Sequence, residues 1–91
     1  MKLVFKGKFK EKLNEITLYI AKDSEVKAQN FKKELKDKIA HLIYFPYKFR
    51  KSYYFDDENV RDFIFKGYTI PYLIEDETIV VLTIFKHNLI S

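Results

Sequence analysis

The sequence contains no cysteine, which excludes disulfides and cysteine-based zinc sites. Its two glycines and two prolines leave little chain for long loops, so most of it is expected to form regular structure. No apolar run approaches the roughly 18 residues of a membrane span, and the opening MKLVFKGKFK has no signal-peptide core. These absences predict a cytoplasmic protein with no membrane partner.

Several kinds of catalytic motif are also missing. Gly7 and Gly67 are isolated, so there is no glycine-rich phosphate loop. His41 and His87 have no carboxylate at ligand spacing, and the acidic residues 56–58 read as a solvated turn. No serine lies in a nucleophile-elbow context. We therefore expect no metal, no cofactor and no serine triad.

What the sequence does contain is an uneven charge. Residues 1–51 hold fourteen Lys and Arg against six Asp and Glu, a net charge of +8, whereas residues 52–91 hold three against seven, a net charge of −4. A basic first half indicates an anionic partner, either nucleic acid or an acidic polypeptide. The alternative is that the lysines only solvate helix faces.

Apolar periodicity predicts the first half of the fold. Residues 2–9 are β-prone and are expected to form a first strand. Two runs at spacings of three and four then predict two amphipathic helices, with Asp23 or Ser24 capping the second, which ends before Pro46. The runs are Phe9, Leu13, Ile16 and Ile20, followed by Ala28, Phe31, Leu35, Ile39 and Leu42. So short a connection predicts an antiparallel helical hairpin.

The second half predicts a sheet. Strands are expected at about 59–65, 68–74 and 78–86, joined by tight turns at residues 66–67 and 75–77. Pro71 cannot donate a ladder hydrogen bond, so its nitrogen must face away from a partner or lie at a bulge. The expected fold is α+β, with the order β-α-α-β-β-β, a helical hairpin packed on a mostly antiparallel sheet of about four strands. It forms a single domain over residues 1–91.

The stretch YFPYKFRKSYYF, residues 44–55, packs seven aromatic rings and three cations into the link from the second helix to the sheet, here called the crossover. It suits either base stacking or core packing. Burying three rings is worth roughly 5–9 kcal/mol, which favours core packing for Phe49 and Phe55, with Tyr44 and Phe45 continuing the helix face. The exposed remainder is Tyr47 plus the candidate nucleic-acid or target contacts, Lys48, Arg50, Lys51, Tyr53 and Tyr54.

A metal-free RNA-cleaving site is a further possibility, because it needs only a base, an acid and cations for the phosphate. His87 is the candidate for proton transfer, and Arg61 and Lys86, with Arg50 and Lys51, are candidates for charge. Tyr53 or Tyr54 could stack on a base or act as a weak acid. Two of these have structural alternatives: His87 as a surface residue at a strand end, and Arg61 as an ion-pair partner. His41, beside the apolar helix face, is expected only to pack.

The last third, VRDFIFKGYTIPYLIEDETIVVLTIFKH, resembles the RelE/ParE superfamily, the toxins of bacterial type II toxin–antitoxin systems. Upstream, YIAKDSEVKAQNFKKELKDKI looks like the family's helix pair and FPYKFR like its proline-then-arginine stretch. The residues in the family's order are Arg61, Asp62, Phe63, Lys66-Gly67, Tyr68, Tyr72, the acidic turn 75–77, the aliphatic strand 79–84 and His87.

The departures from this pattern place the chain closer to the ParE-like branch. In the messenger-cleaving branch an arginine follows the first tyrosine of the third strand, whereas this chain has Thr69. Lysines of the preceding strand are matched by Val60 and Asp62, and the arginine and terminal tyrosine of some nucleases are missing after His87. ParE-like members resemble the nucleases in fold but inhibit DNA gyrase without cutting RNA.

The resemblance implies a growth-inhibiting toxin of the plasmid-stabilisation kind, neutralised by a cognate antitoxin. The expected antitoxin is an acidic protein encoded adjacently that wraps the toxin and lies along the lysine-rich hairpin, and DNA is reached only through it. The expected target is gyrase, which would not make the chain an enzyme. The alternatives are a ribosome-dependent mRNA endonuclease without a metal, a nucleic-acid-binding module and a non-toxic relative. The sequence does not identify the antitoxin-binding residues.

Overall fold

The protein folds as two helices on one face of a mixed sheet, in a computed structural model that describes residues 1–86. The elements are β1 (Lys2–Phe5), α1 (Gly7–Ala21), α2 (Glu25–Ala40), β2 (Val60–Phe65), β3 (Tyr68–Glu75), β4 (Thr78–Val81) and β5 (Phe85–Lys86). A 3-10 turn, His41–Ile43, follows α2. The predicted α+β class and element order are confirmed. Within the described residues, no helix is long and apolar enough to span a membrane.

The helical hairpin forms as the apolar spacing predicts. Phe9 and Leu13 are buried on α1, and Ala28, Phe31, Leu35 and Ile39 are buried on α2. Ser24 caps α2, since its hydroxyl oxygen accepts the Lys27 N–H at 3.2 Å. The expected first strand was too long: β1 ends at Phe5 and α1 starts at Gly7, so Phe9 serves the helix face alone.

The sheet is mostly antiparallel, as predicted, with the strand order β1-β4-β3-β2 and β5 paired to β3. The pairing of β1 with β4 is parallel. The turns at Lys66-Gly67 and Asp76-Glu77 each have two residues with positive φ, at 47° and 85° and at 47° and 57°. This geometry matches the strand twist of tight hairpins, and Gly67 adopts it without a side-chain clash.

The strand predicted at 78–86 is interrupted opposite Pro71 of β3 and forms two strands, β4 and β5. Tyr72 pairs with Val81, but Thr69 pairs with Phe85, so the segment 82–84 contains one residue more than the opposing part of β3. The Pro71 carbonyl accepts the Leu82 N–H at 2.9 Å, yet proline has no N–H to return. The prediction of one continuous strand was therefore wrong, and the bulge allowed for at Pro71 is present.

The core lies between the hairpin and one face of the sheet. Phe31 of α2 meets Phe65 and Tyr68, with ring centroids 5.3 and 5.6 Å apart. Leu35 is 0% exposed, and Tyr72 of β3 is equally buried. Because cross-strand partners share a face, the side chains of Phe65, Tyr68 and Tyr72 all point towards the helices.

The crossover contributes less to this core than predicted. Tyr44 and Phe45 are each 68% exposed and Phe55 is 40% exposed, so their expected burial was wrong. The cause is the 3-10 turn, which ends the α-helical spacing and makes Leu42 the last buried residue of the helix face. Phe49 is half-buried and packs on Phe63 at 5.2 Å.

Candidate functional site

The crossover passes around the outer edge of β2. On the helix side of the sheet, Phe49 packs against Phe63. At the edge, Lys51 forms an antiparallel β-bridge with Arg61 of β2. The segment is therefore tied to the sheet by main-chain pairing at this one position, and residues 44–55 form no strand of their own.

Beyond this edge the crossover reaches the opposite face of the sheet. Tyr54 meets Phe85 edge-on, with ring centroids 5.0 Å apart. Phe85 pairs with Thr69, whose side chain alternates with those of Tyr68 and Ile70 and so points away from the helices. One loop thus contacts both faces of the sheet.

Asp62 of β2 is the centre of this arrangement. Its side chain is 0% exposed, and Oδ2 accepts the Tyr53 N–H at 3.1 Å and lies 3.5 Å from Nη2 of Arg50. The Asp62 N–H donates to the Arg50 carbonyl at 3.1 Å. The Arg50 guanidinium lies 3.9 Å from the centre of the Tyr53 ring. The carboxylate therefore holds Arg50 and Tyr53 as a stacked pair, while Tyr53 stays 75% exposed.

Tyr72 attaches the start of the crossover to the core. Its hydroxyl donates to the Pro46 carbonyl at 2.7 Å. Burial raises the pKa of Tyr72 above its usual value, Arg61 opposes that shift, and Asp62 adds to it. The phenol therefore stays neutral and remains a donor throughout the physiological pH range.

Arg61, expected as an ion-pair partner or a phosphate ligand, bonds the crossover instead. Its Nη1 donates to the Phe49 carbonyl at 3.1 Å, and the guanidinium lies 5.0 Å from the Tyr47 ring centre. Within residues 1–86 it joins no ion pair; the ion pair of this strand is formed by Asp62. The expectation that Arg61 forms an ion pair was wrong, because its guanidinium donates to a backbone carbonyl instead.

The two lysines of the predicted contact set lie at the surface. Lys48 places its ammonium 5.5 Å from the Phe49 ring centre. Lys51 pairs with Glu58 at 3.8 Å, and both side chains are well exposed, so this pair adds little stability. The structure thus brings Arg50, Tyr53 and Tyr54 together on the sheet, with Lys48 and Lys51 beside them.

Of the candidate catalytic residues of the nuclease hypothesis, Arg61 and Lys86 are not brought together. Arg61 is opposite Tyr72, whereas Lys86 is opposite Tyr68 on the other side of β3. Four residues along a strand separate them by about 13 Å before the strand spacing is added. Lys86 lies 5.5 Å from the Tyr68 ring centre. His87 lies outside the described residues.

His41, expected only to pack beside the apolar helix face, is exposed, and its Nδ1 lies 2.9 Å from the Asp37 carbonyl. It sits where α2 gives way to the 3-10 turn, and that change of spacing turns it outwards. In the part of the chain that the structure describes, no three His, Asp or Glu side chains could hold a metal ion together.

A second surface lies at the other end of the sheet, between α1, α2 and β1. We call it the basic cleft, a groove of about 250 Å³. It is lined by Phe5, Phe9, Lys10, Leu13, Asn14, Thr17, Lys32 and Lys36. None of the ion pairs within residues 1–86 uses its three lysines, and no acidic side chain lines it.

Sequence reasoning missed the roles of Asp62 and Tyr72. In the sequence, Asp62 was named only as part of the family pattern and as a departure from the nuclease lysines, although a carboxylate within an aromatic strand is a signal for a buried partner. For Tyr72 the bond to Pro46 spans 26 residues, and no local pattern announces it.

A family model described as "ParE toxin of type II toxin-antitoxin system, parDE" matches residues 3–89. No curated protein matches. A chain of the solved structure "Chromosomal ParDE TA system from P. aeruginosa" superposes with a TM-score of 0.79, covering 97% of each chain at 18% identity. At that identity the likeness establishes the shared fold.

Proposed function

Since the chain belongs to the ParE toxin family of type II toxin–antitoxin systems, we propose that it arrests bacterial growth by inhibiting DNA gyrase. As the toxin of such a system it has an antitoxin as its partner. Gyrase inhibition is the activity that the ParE-like resemblance implies. It requires binding of a protein target, and a toxin with that target acts in the bacterial cytoplasm.

The observation that most supports a protein target over RNA cleavage is the separation of two candidate nuclease groups, Arg61 and Lys86, on opposite sides of β3. Acid–base and phosphate-stabilising groups must lie within hydrogen-bond reach of one reacting centre. Arg61 is committed to the Phe49 carbonyl, and Lys86 lies on the far side of β3. Thr69, where the nuclease branch has arginine, is 0% exposed.

The crossover has the composition of a protein-binding surface. Exposed Tyr53 and Tyr54 accompany Arg50, and tyrosine and arginine are the residues enriched at interface hot spots. Its arginine is already close to Asp62 and its Lys51 to Glu58, so much of its charge is balanced. Cations that already have acidic partners attract a phosphate backbone less strongly. The exposed rings, by contrast, favour contact with a protein surface. We therefore assign target contact to Lys48, Arg50, Lys51, Tyr53 and Tyr54.

The antitoxin is assigned to the basic cleft. Three lysines without ion-pair partners among residues 1–86 surround a floor that includes Phe5 and Leu13. Such a groove complements an acidic segment with an apolar anchor. An acidic protein encoded beside the toxin would meet this requirement. The cleft and the crossover lie at opposite edges of the sheet, which separates antitoxin binding from target contact.

The decisive experiment measures supercoiling of relaxed plasmid by purified gyrase with increasing toxin. We expect inhibition, and in cells we expect growth arrest together with induction of the DNA-damage response. Primer extension on cellular messages in the same cultures tests the nuclease alternative. Messenger cuts without gyrase inhibition would overturn the proposal, and so would healthy growth at full expression.

A further inference from the structure

We propose that Asp62 is a positioning residue for target binding: it holds Arg50 and Tyr53 in the one arrangement that the target protein recognises. This inference rests on the proposal that the crossover contacts the target, and it does not require that target to be gyrase. The assignment comes from the burial of the carboxylate and from the groups that it bonds.

The crossover belongs to a long stretch without helix or strand, between the 3-10 turn that ends at Ile43 and the start of β2 at Val60. A loop of this length stays ordered only where side chains or main-chain bonds fix it. Side chains of the sheet attach this loop at three places: Tyr72 at Pro46, Arg61 at Phe49 and Asp62 at residues 50–53. The Asp62 attachment is the one that lies directly beneath the exposed pair.

Asp62 acts on both members of that pair. Oδ2 fixes the main chain of Tyr53 at 3.1 Å and faces the guanidinium of Arg50 at 3.5 Å. The guanidinium then lies over the tyrosine ring at 3.9 Å, with 35% of the arginine side chain still exposed. An interface aromatic that is fixed before binding loses less conformational entropy on binding. The carboxylate therefore affects affinity without touching the target.

The charge of Arg50 and its stacking on the Tyr53 ring can be tested separately. Arginine is planar and stacks on a ring, whereas lysine keeps the charge but presents no flat face. Arg50→Lys should preserve the ion pair with Asp62 and lose the stack. If the pair matters only as charge, this variant would behave as the wild type. If its geometry matters, the variant would fail together with Asp62→Asn.

The test uses the full chain as wild type, Asp62→Asn, Arg50→Lys and a matched control, Asp56→Asn, which removes an exposed carboxylate from the same connection. Three quantities are measured: the inducer level for half-maximal growth arrest, the hydrogen-exchange rate of the Tyr53 amide, and the thermal melting of the fold. Growth arrest does not presuppose a particular target, so gyrase supercoiling is measured separately.

For Asp62→Asn we expect Tyr53 amide exchange at least tenfold faster and an inducer requirement at least tenfold higher, in a chain that still melts cooperatively. For Arg50→Lys we expect the same increase in inducer requirement, and for Asp56→Asn no change in either quantity. Growth arrest by Asp62→Asn at the wild-type inducer level would overturn the inference. Loss of arrest with unchanged Tyr53 exchange would also overturn it.

If Asp62→Asn does not fold, Arg50→Lys decides, because Arg50 is partly exposed and its replacement leaves the carboxylate in place. Wild-type behaviour of Arg50→Lys then overturns the inference. A wild-type toxin that arrests growth without inhibiting gyrase would refute the proposed target alone, and the Asp62 comparison would still be read from growth arrest.

Discussion

The basic cleft and the crossover are both rich in cations, but their cations are held differently. In the cleft, Lys10, Lys32 and Lys36 extend from helix surfaces and join no ion pair within residues 1–86. In the crossover, Arg50 lies between a buried carboxylate and a tyrosine ring. The cleft therefore offers positive charge without ion-pair partners among residues 1–86, and the crossover offers a cation held in one position.

This difference indicates different uses for the two surfaces. Unpaired lysines raise the association rate with an acidic partner, and their effect weakens as salt increases. A stacked and anchored pair instead contributes rigid contact area with little dependence on salt. We therefore expect positive charge to serve a different function at each surface, according to the groups that neighbour it.

The largest effect on stability is expected in the core beneath the helical hairpin, compared with the crossover. Leu35→Ala removes a fully buried side chain from α2 and should lower the free energy of unfolding by about 2–5 kcal/mol. Phe45→Ala removes a larger but mostly exposed ring and should cost less than about 0.5 kcal/mol. Chemical denaturation of both variants measures the contrast. Equal losses would mean that the crossover ring packs in the core after all.

A smaller effect is expected for charge reversal in the basic cleft. Lys32→Glu with Lys36→Glu should weaken binding of the adjacently encoded acidic protein by at least about tenfold and leave growth arrest intact. The readouts are rescue of growth on co-expression and titration of the purified pair at two salt concentrations. Lys22→Glu with Lys33→Glu is the control, because these exposed lysines lie outside the cleft. Equal weakening by both double variants would place the antitoxin elsewhere.

The smallest effect on stability is expected at Tyr72, which attaches the start of the crossover to the core. Tyr72→Phe removes the hydrogen bond to Pro46 and should cost about 0.5–1.5 kcal/mol at pH 8. Because burial raises the pKa of Tyr72, the folded chain keeps its proton when the unfolded chain ionises near pH ~10. Ionisation of this one group therefore lowers the stability of the wild type above that pH, by up to about 1.4 kcal/mol per pH unit, and this contribution is absent from the variant.

The measurement is the difference in unfolding free energy between wild type and Tyr72→Phe from pH 8 to pH 11. That difference should shrink with rising pH. Tyr19→Phe serves as the control, since Tyr19 is exposed and its removal should leave the wild-type profile unchanged. Parallel profiles for wild type and Tyr72→Phe would refute the assignment of this proton.

Local patterns predicted the hairpin and the sheet well, because each depends on near neighbours in the chain. The spacing of Phe31, Leu35 and Ile39 is itself the buried face of α2, and Ser24 caps it as expected. The turn at Lys66-Gly67 follows from two residues. The resemblance to the RelE/ParE superfamily, stated from the order of loose motifs, agrees with the family match over residues 3–89.

The crossover was predicted less well, because its side chains depend on distant residues. Hydrophobicity alone assigned Phe45 and Phe55 to the core, and both are exposed. A ring is buried only if another element covers it, and the 3-10 turn directs this part of the chain away from the helix face. The nuclease candidates Arg61 and Lys86 are separated for a similar reason, since their strands flank β3 on opposite sides.

The α+β order, the helical faces, the tight turns and the family follow from contiguous residues and their spacing. The contacts of Asp62 with Arg50 and Tyr53, the bond from Tyr72 to Pro46, and the three lysines around one groove arise only when the chain folds. The physical reason is that a charge or a hydroxyl takes its role from the groups folding places within a few ångströms of it. Those groups lie 9, 12 and 26 residues away along the chain.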